Sequence, residues 1–264
     1  MENDLLVRFA IFLALFIVFA VLEIYVPRRQ QKKPRLARWR TNWGITLINS
    51  VTLRLLSIGL PLLAVGAAID ASNSGYGLFN HLGWSAIVEA CLCIFIMDFA
   101  IWAQHVFTHK IPILWRMHQV HHTDIEMDVT TAIRFHPAEI AISMLLKIGL
   151  VYLLGPSVWA VIIFEILLNG AALFNHANIK LPAPFDSVLR KIIVTPDMHR
   201  IHHSSNREEH DSNYGFALSI WDRIFGTYRQ EPVDGHKAMT IGLQWQNERP
   251  TKLGWSLWLP FRRK

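Results

Sequence analysis

The chain has 264 residues, 52% of them apolar and 17% charged, with a formal net charge of +6. That length allows one large domain or two small ones, and sparse charge with long apolar blocks favours an integral membrane protein. The two cysteines, Cys91 and Cys93, sit inside one apolar block, so no disulfide framework exists, and the basic excess flanks an apolar run without any groove-reading or stacking motif, which excludes nucleic acid as a partner.

In chain order, Leu5 to Val26 is an apolar run of about the twenty residues a helix needs to cross a bilayer. Its acidic start (Glu2, Asp4) and its length set it apart from a cleaved signal peptide. Pro27 and a stretch dense in arginine and lysine follow, Arg28 to Arg40. The positive-inside rule puts that stretch in the cytoplasm and Met1 outside. A second apolar run extends from about Gly44 to Ile69, and a glycine- and asparagine-rich loop holding His81 comes next. A third run, about Trp84 to Gln104, returns to the cytoplasmic side. Two more stretches, about 138–154 and 157–174, are joined by Gly155-Pro156, a turn signal. They form a hairpin, either fully spanning or partly inserted, because each is near the short limit and is interrupted by Lys147, Glu165 or Asn169. Beyond Lys180 the chain is mixed in polarity, and its tail, GWSLWLPFRRK, reads as an interfacial anchor or a frayed end. The expected fold is all-α: an integral membrane bundle of about four or five helices or half-helices under a cytosolic, histidine-rich helical cap. Residues 1–104 supply the N-terminal membrane helices and basic loop, and 105–264 the histidine-bearing region with its hairpin.

Thirteen histidines punctuate this apolar chain, and most are grouped. His105 and His109 lie in HVFTH; His118, His121 and His122 in HQVHH; His199, His202 and His203 in HRIHH. At this histidine frequency, chance supplies on the order of 0.03 triplets at offsets 0, 3 and 4, and the chain has two. Imidazole is the commonest protein metal ligand. Residues at i, i+3 and i+4 share a helical face, so His105 pairs with His109, and His118 with His121 and His122. Adjacent His121 and His122 diverge by about 100°, which suits two ions better than one. Eight imidazoles exceed the four to six positions of one ion, and two ions with about four each accommodate them. The topology puts all the groups on one membrane face.

The order HxxxH, HxxHH, an isolated downstream histidine and a second HxxHH resembles the fatty acid hydroxylase/sterol desaturase superfamily. The segments TPDMHRIHHSSN, DSNYG and IWDRIFGTY are similar to its C-terminal signature, and the likeness spans about Ile94 to Tyr228. The resemblance implies membrane helices beneath a cytosolic cap, a non-haem centre of two iron ions (with zinc as a possible substitute in purified samples), O2 as oxidant and a membrane lipid as substrate. It implies His105, His109, His118, His121, His122, His199, His202 and His203 as metal ligands. His176, in FNHANI, matches the isolated histidine, and His136, in RFHPAE, is a further candidate whose alternative is a helix-start residue before Pro137. No residue beyond the metal ligands is singled out as catalytic.

Each ligating imidazole needs its second nitrogen held, usually by a carboxylate or carbonyl. Candidates are Asp98, Asp124, Glu126, Asp128, Glu139, Asp197 and Asp211. Asp98, charged within an apolar run, is expected to support a ligand or to pair with a base such as Arg200. NYG (Asn213 to Gly215) and WDRIFG are expected to fix the last helix against the site, and His210 and His236 to be surface or supporting groups. Phe95, Trp102, Phe107, Phe135 and Phe174 are candidates for an apolar substrate path. With no GxGxxG fingerprint and no cytochrome b5 signature, electrons are expected from an external ferredoxin, cytochrome b5 or reductase, with Arg28 to Arg40, Arg200 and Arg207 as docking charges. The leading expectation is lipid hydroxylation, with desaturation by the same centre as the alternative. The rival from another class is a non-redox metal-binding or metal-transport protein, which a midplane site would favour.

Overall fold

The computed structural model describes residues 2–59, 63–245 and 247–262. Met1, the middle of the second apolar run (60–62) and the last two residues of the tail lie outside the described residues. The structure is helical, with α1 (Glu2–Tyr25), α2 (Arg35–Gly59), α3 (Ala64–Ser74), α4 (Phe79–Leu82), α5 (Ala86–Lys110), α6 (Pro112–His122), α7 (Pro137–Leu154) and α8 (Val158–His176). Shorter helices follow: α9 (Ala183–Leu189), α10 (Pro196–His202), α11 (Arg207–His210), α12 (Ile220–Ile224), α13 (Gly235–Ala238) and α14 (Leu253–Trp258). Strand pairing among the described residues is confined to isolated bridges such as Pro27 with Ile179.

Among the described residues, four helices are long and apolar enough to cross a bilayer: Leu5–Tyr25 of α1, then α5, α7 and α8. Only 6% of the α1 window is buried against 44% for α8, so α8 is the inner helix and α1 presents its surface outward. The bundle exterior carries Leu5, Ile58, Ile87, Leu153 and Trp159, each more than half exposed. Water penalises such a surface and lipid does not. Inside, the alanine face of α3 (Ala64, Ala67, Ala68) packs against Met97 of α5, Val151 of α7 and Phe164 of α8, small residues that let helix backbones approach closely.

Gly155 ends α7 in the left-handed region (φ 64°) and meets Gly77 (φ 96°) from the loop before α4. A Cβ on Gly77 would lie 2.2 Å from the Gly155 nitrogen, so this close approach requires glycine. The turn predicted at Gly155-Pro156 is present. It sits at the end of the bundle remote from the histidines, as does exposed His81.

The second apolar run departs from expectation. Its helix begins at Arg35, nine residues before Gly44, and α3 is a separate element. The cause is a polar stripe of helical period, Arg38, Asn42, Thr46 and Asn49, which is held inside the cap. Arg38 Nε donates to Asp124 Oδ1 at 2.6 Å and Nη1 donates to Asp128 Oδ2 at 2.9 Å; Nη2 also reaches the Glu126 carbonyl. Asn42 donates to Asp124 and Thr130. Burial alone would lift the Asp124 carboxyl, but Arg38 and then Arg134 overcome it and hold it below its usual range.

The tail is docked. Arg134 donates to the Val120 carbonyl at 2.8 Å, to the Pro250 carbonyl at 3.0 Å and to Ser256 Oγ at 2.9 Å, tying the C-terminal segment to the end of α6. Trp258 and Phe261 remain over half exposed, beside the start of α7 through the Phe261–His136 ring contact, which fits an interfacial anchor and not a frayed end.

Removing one partner of a buried ion pair strands the other charge, at a cost of about 3–5 kcal/mol. Arg38→Ala is therefore expected to lower the melting temperature of the detergent-solubilised protein strongly, while Arg40→Ala, at an exposed position, leaves it nearly unchanged. Equal melting temperatures for the two variants would refute the role of Arg38.

Candidate metal centre

Four helices deliver the imidazoles. The last two turns of α5 carry His105 and His109, α6 carries His118, His121 and His122, α8 ends on His176, and α10 with the residue after it carries His199, His202 and His203. The proline-led starts of α6 and α10 fix where each box begins, because Pro112 and Pro196 sit in the first turn, where no backbone N–H is needed. Thr195 caps α10 by accepting from the Met198 N–H.

The rings form two buried clusters, each with nitrogens within 4.8 Å of one another: His105, His109, His118, His122 and His202 in the first, and His121, His176, His199 and His203 in the second. Both triplets are divided. His122 joins the first cluster and adjacent His121 the second, their rings at 89°. His202 and His203 separate in the same way, at 82°. The clusters abut through stacked pairs, His122 on His203 (4.6 Å) and His199 on His202 (5.1 Å).

Protons can be assigned from the partners. His105 Nδ1 lies 2.7 Å from the Tyr214 carbonyl and His118 Nδ1 lies 2.6 Å from Glu139 Oε1. Carbonyls and carboxylates accept, so both Nδ1 atoms carry a proton, and in the neutral rings both Nε2 atoms present lone pairs. Those two Nε2 atoms are 3.1 Å apart. In the second cluster His176 donates from Nδ1 to the Ala172 carbonyl at 2.7 Å. Its bare Nε2 then faces Nε2 of His121 at 3.0 Å, of His199 at 3.0 Å and of His203 at 3.2 Å. Two nitrogens bound at a right angle to one ion, each about 2.1 Å from it, stand about 3.0 Å apart. The donor set therefore fits cations.

Burial drives the imidazoles outside the bundle, His121, His122, His199, His202 and His203, well below their ordinary value, and neighbouring histidines push the same way. They are neutral at neutral pH and need not shed a proton to coordinate.

The supports differ in part from expectation. Glu139 holds His118, and Asp211 Oδ1 lies 3.4 Å from His109 Nδ1. Backbone carbonyls hold His105, His176 and His202, the last through Ser212 at 2.8 Å. The DSNYG segment thus aims two rings. Asn213, in the left-handed region (φ 52°), donates to the Met198 carbonyl of α10, while Asp222 of WDRIFG accepts from the Tyr214 and Gly215 N–H groups and from Trp102. Asp124, Glu126 and Asp128 serve the Arg38 node instead. Asp197 accepts from Arg28 and pairs with Arg200, anchoring the basic loop to α10.

Asp98 does neither thing expected of it: it accepts from Trp221 Nε1 at 2.8 Å and from the Leu218 N–H, bracing α12. His136 stands outside both clusters. Its Nδ1 caps α7 by accepting from the Ala138 N–H, and its Nε2 lies 3.2 Å from the Leu257 carbonyl. With both nitrogens committed, it is the helix-start residue that Pro137 suggested. His210 forms an outer grouping with His109 and Asp211 and stacks on Trp115. His236 is buried against Asp197 and Glu231, its value pushed down to about 4 mainly by burial.

A cavity of about 310 Å³ lies between α2, α5, α7 and α8 and reaches His105, His118 and Glu139. Of the aromatic residues expected along a substrate path, Phe135 lines it, whereas Phe95 and Trp102 pack in the α5–α12 contact, Phe107 is exposed, and Phe174 borders a separate pocket. The polar wall of the cavity, Asn49 and Gln104, was missed, although the period of the Arg38–Asn42–Thr46–Asn49 stripe was readable.

The fatty acid hydroxylase family profile matches residues 90–227, which is more than half of the chain. The chain belongs to the fatty acid hydroxylase family. The match contains every histidine of both clusters, together with the DSNYG and WDRIFG segments. Within the curated proteins, human alkylglycerol monooxygenase is 31% identical over 222 residues, covering 82% of this chain and 46% of that protein. Ornithine lipid hydroxylase OlsE of Rhizobium tropici is 27% identical, covering 84% of this chain and 67% of its own length. A Delta(7)-sterol 5(6)-desaturase, ERG3A of Gibberella zeae, is 24% identical, covering 93% of this chain and 65% of its own. The chain spans about half the length of the alkylglycerol monooxygenases it matches. No solved structure matches it.

Two measurements follow. Glu139→Gln should weaken metal binding by about 10–100-fold in a competition titration, because it loosens the hold on His118. Folded, the cap imidazoles resist protonation; unfolded, they take a proton below about pH 6.5. The unfolded state therefore binds more protons in acid, and the stability of the metal-free protein, whole above about pH 6.5, falls as pH drops below it. Thermal melts across that range should show the loss on the acid side only, and a loss on the alkaline side would contradict it.

Proposed function

We propose that this protein is a membrane-embedded oxygenase that hydroxylates a lipid, holding two iron ions in its paired histidine clusters. The observation that carries the reading is the convergence of imidazole Nε2 atoms about 3 Å apart in a buried interior, at His105 with His118 and around the bare Nε2 of His176. Lone pairs at that separation repel one another unless cations lie between them. The first group would use His105, His109, His118, His122 and His202, and the second His121, His176, His199 and His203. Imidazole suits iron and also accepts zinc.

Bound iron would supply the reduction of O2 and the removal of hydrogen from an unactivated carbon. The protein's own part is positional. Glu139 and the Tyr214, Ser212 and Ala172 carbonyls hold the rings, and the cavity beneath brings a lipid to His105 and His118. Support for oxygenase chemistry comes from the family and from the relatives, which are named as monooxygenases, hydroxylases and a desaturase.

The clusters sit at helix ends, the same end as the basic segment after α1. By the positive-inside rule this is the cytoplasmic face, where an external ferredoxin, cytochrome b5 or reductase would deliver electrons. Arg38 and Arg200 are buried and paired, whereas Arg207 is exposed, with a 3.8 Å contact to Asp211, and its guanidinium is accessible to a partner. The helix-end location also speaks against metal transport, which puts its site near the bilayer midplane.

The test is metal content and turnover of the purified chain. Wild type should hold two iron ions and incorporate one oxygen atom from labelled O2 into a lipid. His121→Ala and His202→Ala should each remove turnover while the protein still inserts into membranes. Loss of two hydrogens from the product without oxygen gain would reassign it as a desaturase, and turnover retained in either variant would overturn the reading.

A further inference from the structure

A second cavity, of about 450 Å³, opens between α6, the segment that carries Trp245, Asn247 and Arg249, and the C-terminal tail; it shares no lining residue with the cavity beneath the first cluster. Three arginines line it, half-buried Arg116 and exposed Arg249 and Arg262. No carboxylate lines it among the described residues, and Glu248, beside Arg249 in sequence, is paired with Lys33. Arg262 lies over the Trp255 ring at 5.7 Å, and Trp255 packs edge-on against Trp245 at 5.5 Å. The indole Nε1 of Trp255, a donor, is enclosed without an acceptor. Asn247 Oδ1 accepts from the Arg249 N–H, which leaves its amide N–H groups to donate, whereas Gln119 gives its Nε2 to the Arg116 carbonyl and keeps its oxygen. Three like charges gathered without a counter-charge repel one another, so the cavity favours an anion.

Its position selects the kind of anion. Lys110 closes α5, and Pro112, two residues on, lines the cavity; Phe261, next to Arg262, meets the ring of His136, the residue before α7. Both α5 and α7 are of membrane length. The cavity therefore lies at the level where two such helices leave the hydrocarbon core, which is the headgroup layer. Apolar side chains adjoin it along the chain: Ile113 beside Pro112, and Trp258 and Phe261 before Arg262, are each at least 60% exposed. Exposed aromatic side chains next to basic ones suit a membrane interface, and the planar fork of a guanidinium matches the oxygens of a phosphate.

We infer that this cavity holds the phosphate head of an anionic membrane lipid, with Arg116, Arg249 and Arg262 around the phosphate and the acyl chains passing Ile113, Trp258 and Phe261 into the bilayer. Such a lipid joins α6, through Arg116, to the C-terminal segment, through Arg249 and Arg262. Arg134 makes the same connection from the buried side. Because α6 bears His118, His121 and His122, the bound head clamps a histidine-bearing helix from outside. It is a structural partner and not a substrate, and the inference goes beyond the oxygenase reading without depending on it.

The test is lipid binding by the full chain, delipidated in detergent and read by native mass spectrometry. The probes are dioleoylphosphatidylglycerol, dioleoylphosphatidylcholine and, as a soluble phosphate, glycerol 1-phosphate. Wild type is expected to bind phosphatidylglycerol about tenfold or more tightly than phosphatidylcholine. The double variant Arg249→Gln with Arg262→Gln should weaken phosphatidylglycerol binding by about tenfold or more, the size expected for two basic residues at an anionic lipid surface. Lys191→Gln with Lys237→Gln removes the same charge at exposed positions outside the cavity and should leave binding unchanged. Arg116→Gln should also weaken it, but Arg116 donates to the Arg262 carbonyl, so if that variant fails to fold, the exposed arginine pair decides. Equal binding of the two lipids, or equal losses in the arginine and lysine pairs, overturns the inference. Glycerol 1-phosphate bound as tightly as the lipid makes the occupant a soluble phosphate and overturns it as well. So does a plant-type ferredoxin, an acidic protein, whose binding falls in the arginine pair while that of phosphatidylglycerol holds.

Discussion

Imidazole nitrogens that carry lone pairs repel one another when held about 3 Å apart in a buried interior, and this structure gathers nine imidazoles into two such clusters. Clusters of this kind are able to hold metal ions. Burial disfavours the protonated imidazole, so the compensating charge does not come from the rings themselves. The fold must therefore hold nine imidazoles close together in two buried clusters able to bind metal ions. Much of the remaining chain can be understood as the frame that does so.

That frame uses two devices. One is a set of fixed acceptors behind the rings, with Glu139 behind His118 and main-chain carbonyls behind His105, His176 and His202. A main-chain carbonyl is held at both ends by the backbone and orients a ring with little loss of side-chain freedom. The other device is a pair of buried arginines. Arg38 joins α2 to Asp124 and Asp128, and Arg134 joins the carbonyl of Val120, between His118 and His121, to the tail. Such nodes are weak contributors to net stability but costly to break, so they specify one arrangement of segments distant in sequence.

The same frame connects the histidine clusters to the membrane-length helices. The bundle exposes apolar side chains outward and encloses a cavity that ends under the first cluster. The upper half of α2 contributes to both, since its polar stripe anchors in the cap and ends in Asn49 and Ser50 on the cavity wall. One helix thus ties the placement of the histidine clusters to the shape and polarity of the space below them.

Much of this was legible in the sequence because it depends on local periodicity. Apolar runs of bilayer length gave α1, α5 and the α7–α8 hairpin, and offsets of three and four residues gave the faces on which the boxed histidines lie. The roughly 100° between neighbouring helical positions already required adjacent histidines to diverge, and the structure sends His121 and His122 into different clusters. Other features were decided only by long-range contacts. His136 resembles its neighbours in type, yet the Leu257 carbonyl, 121 residues away, and the start of α7 claim its nitrogens. Asp98 braces Trp221 across 123 residues instead of serving a histidine. Local spacing fixes the direction in which a side chain leaves its helix; which partner it meets depends on how the helices pack, and for Asp98, His136 and Asn49 that was set in three dimensions.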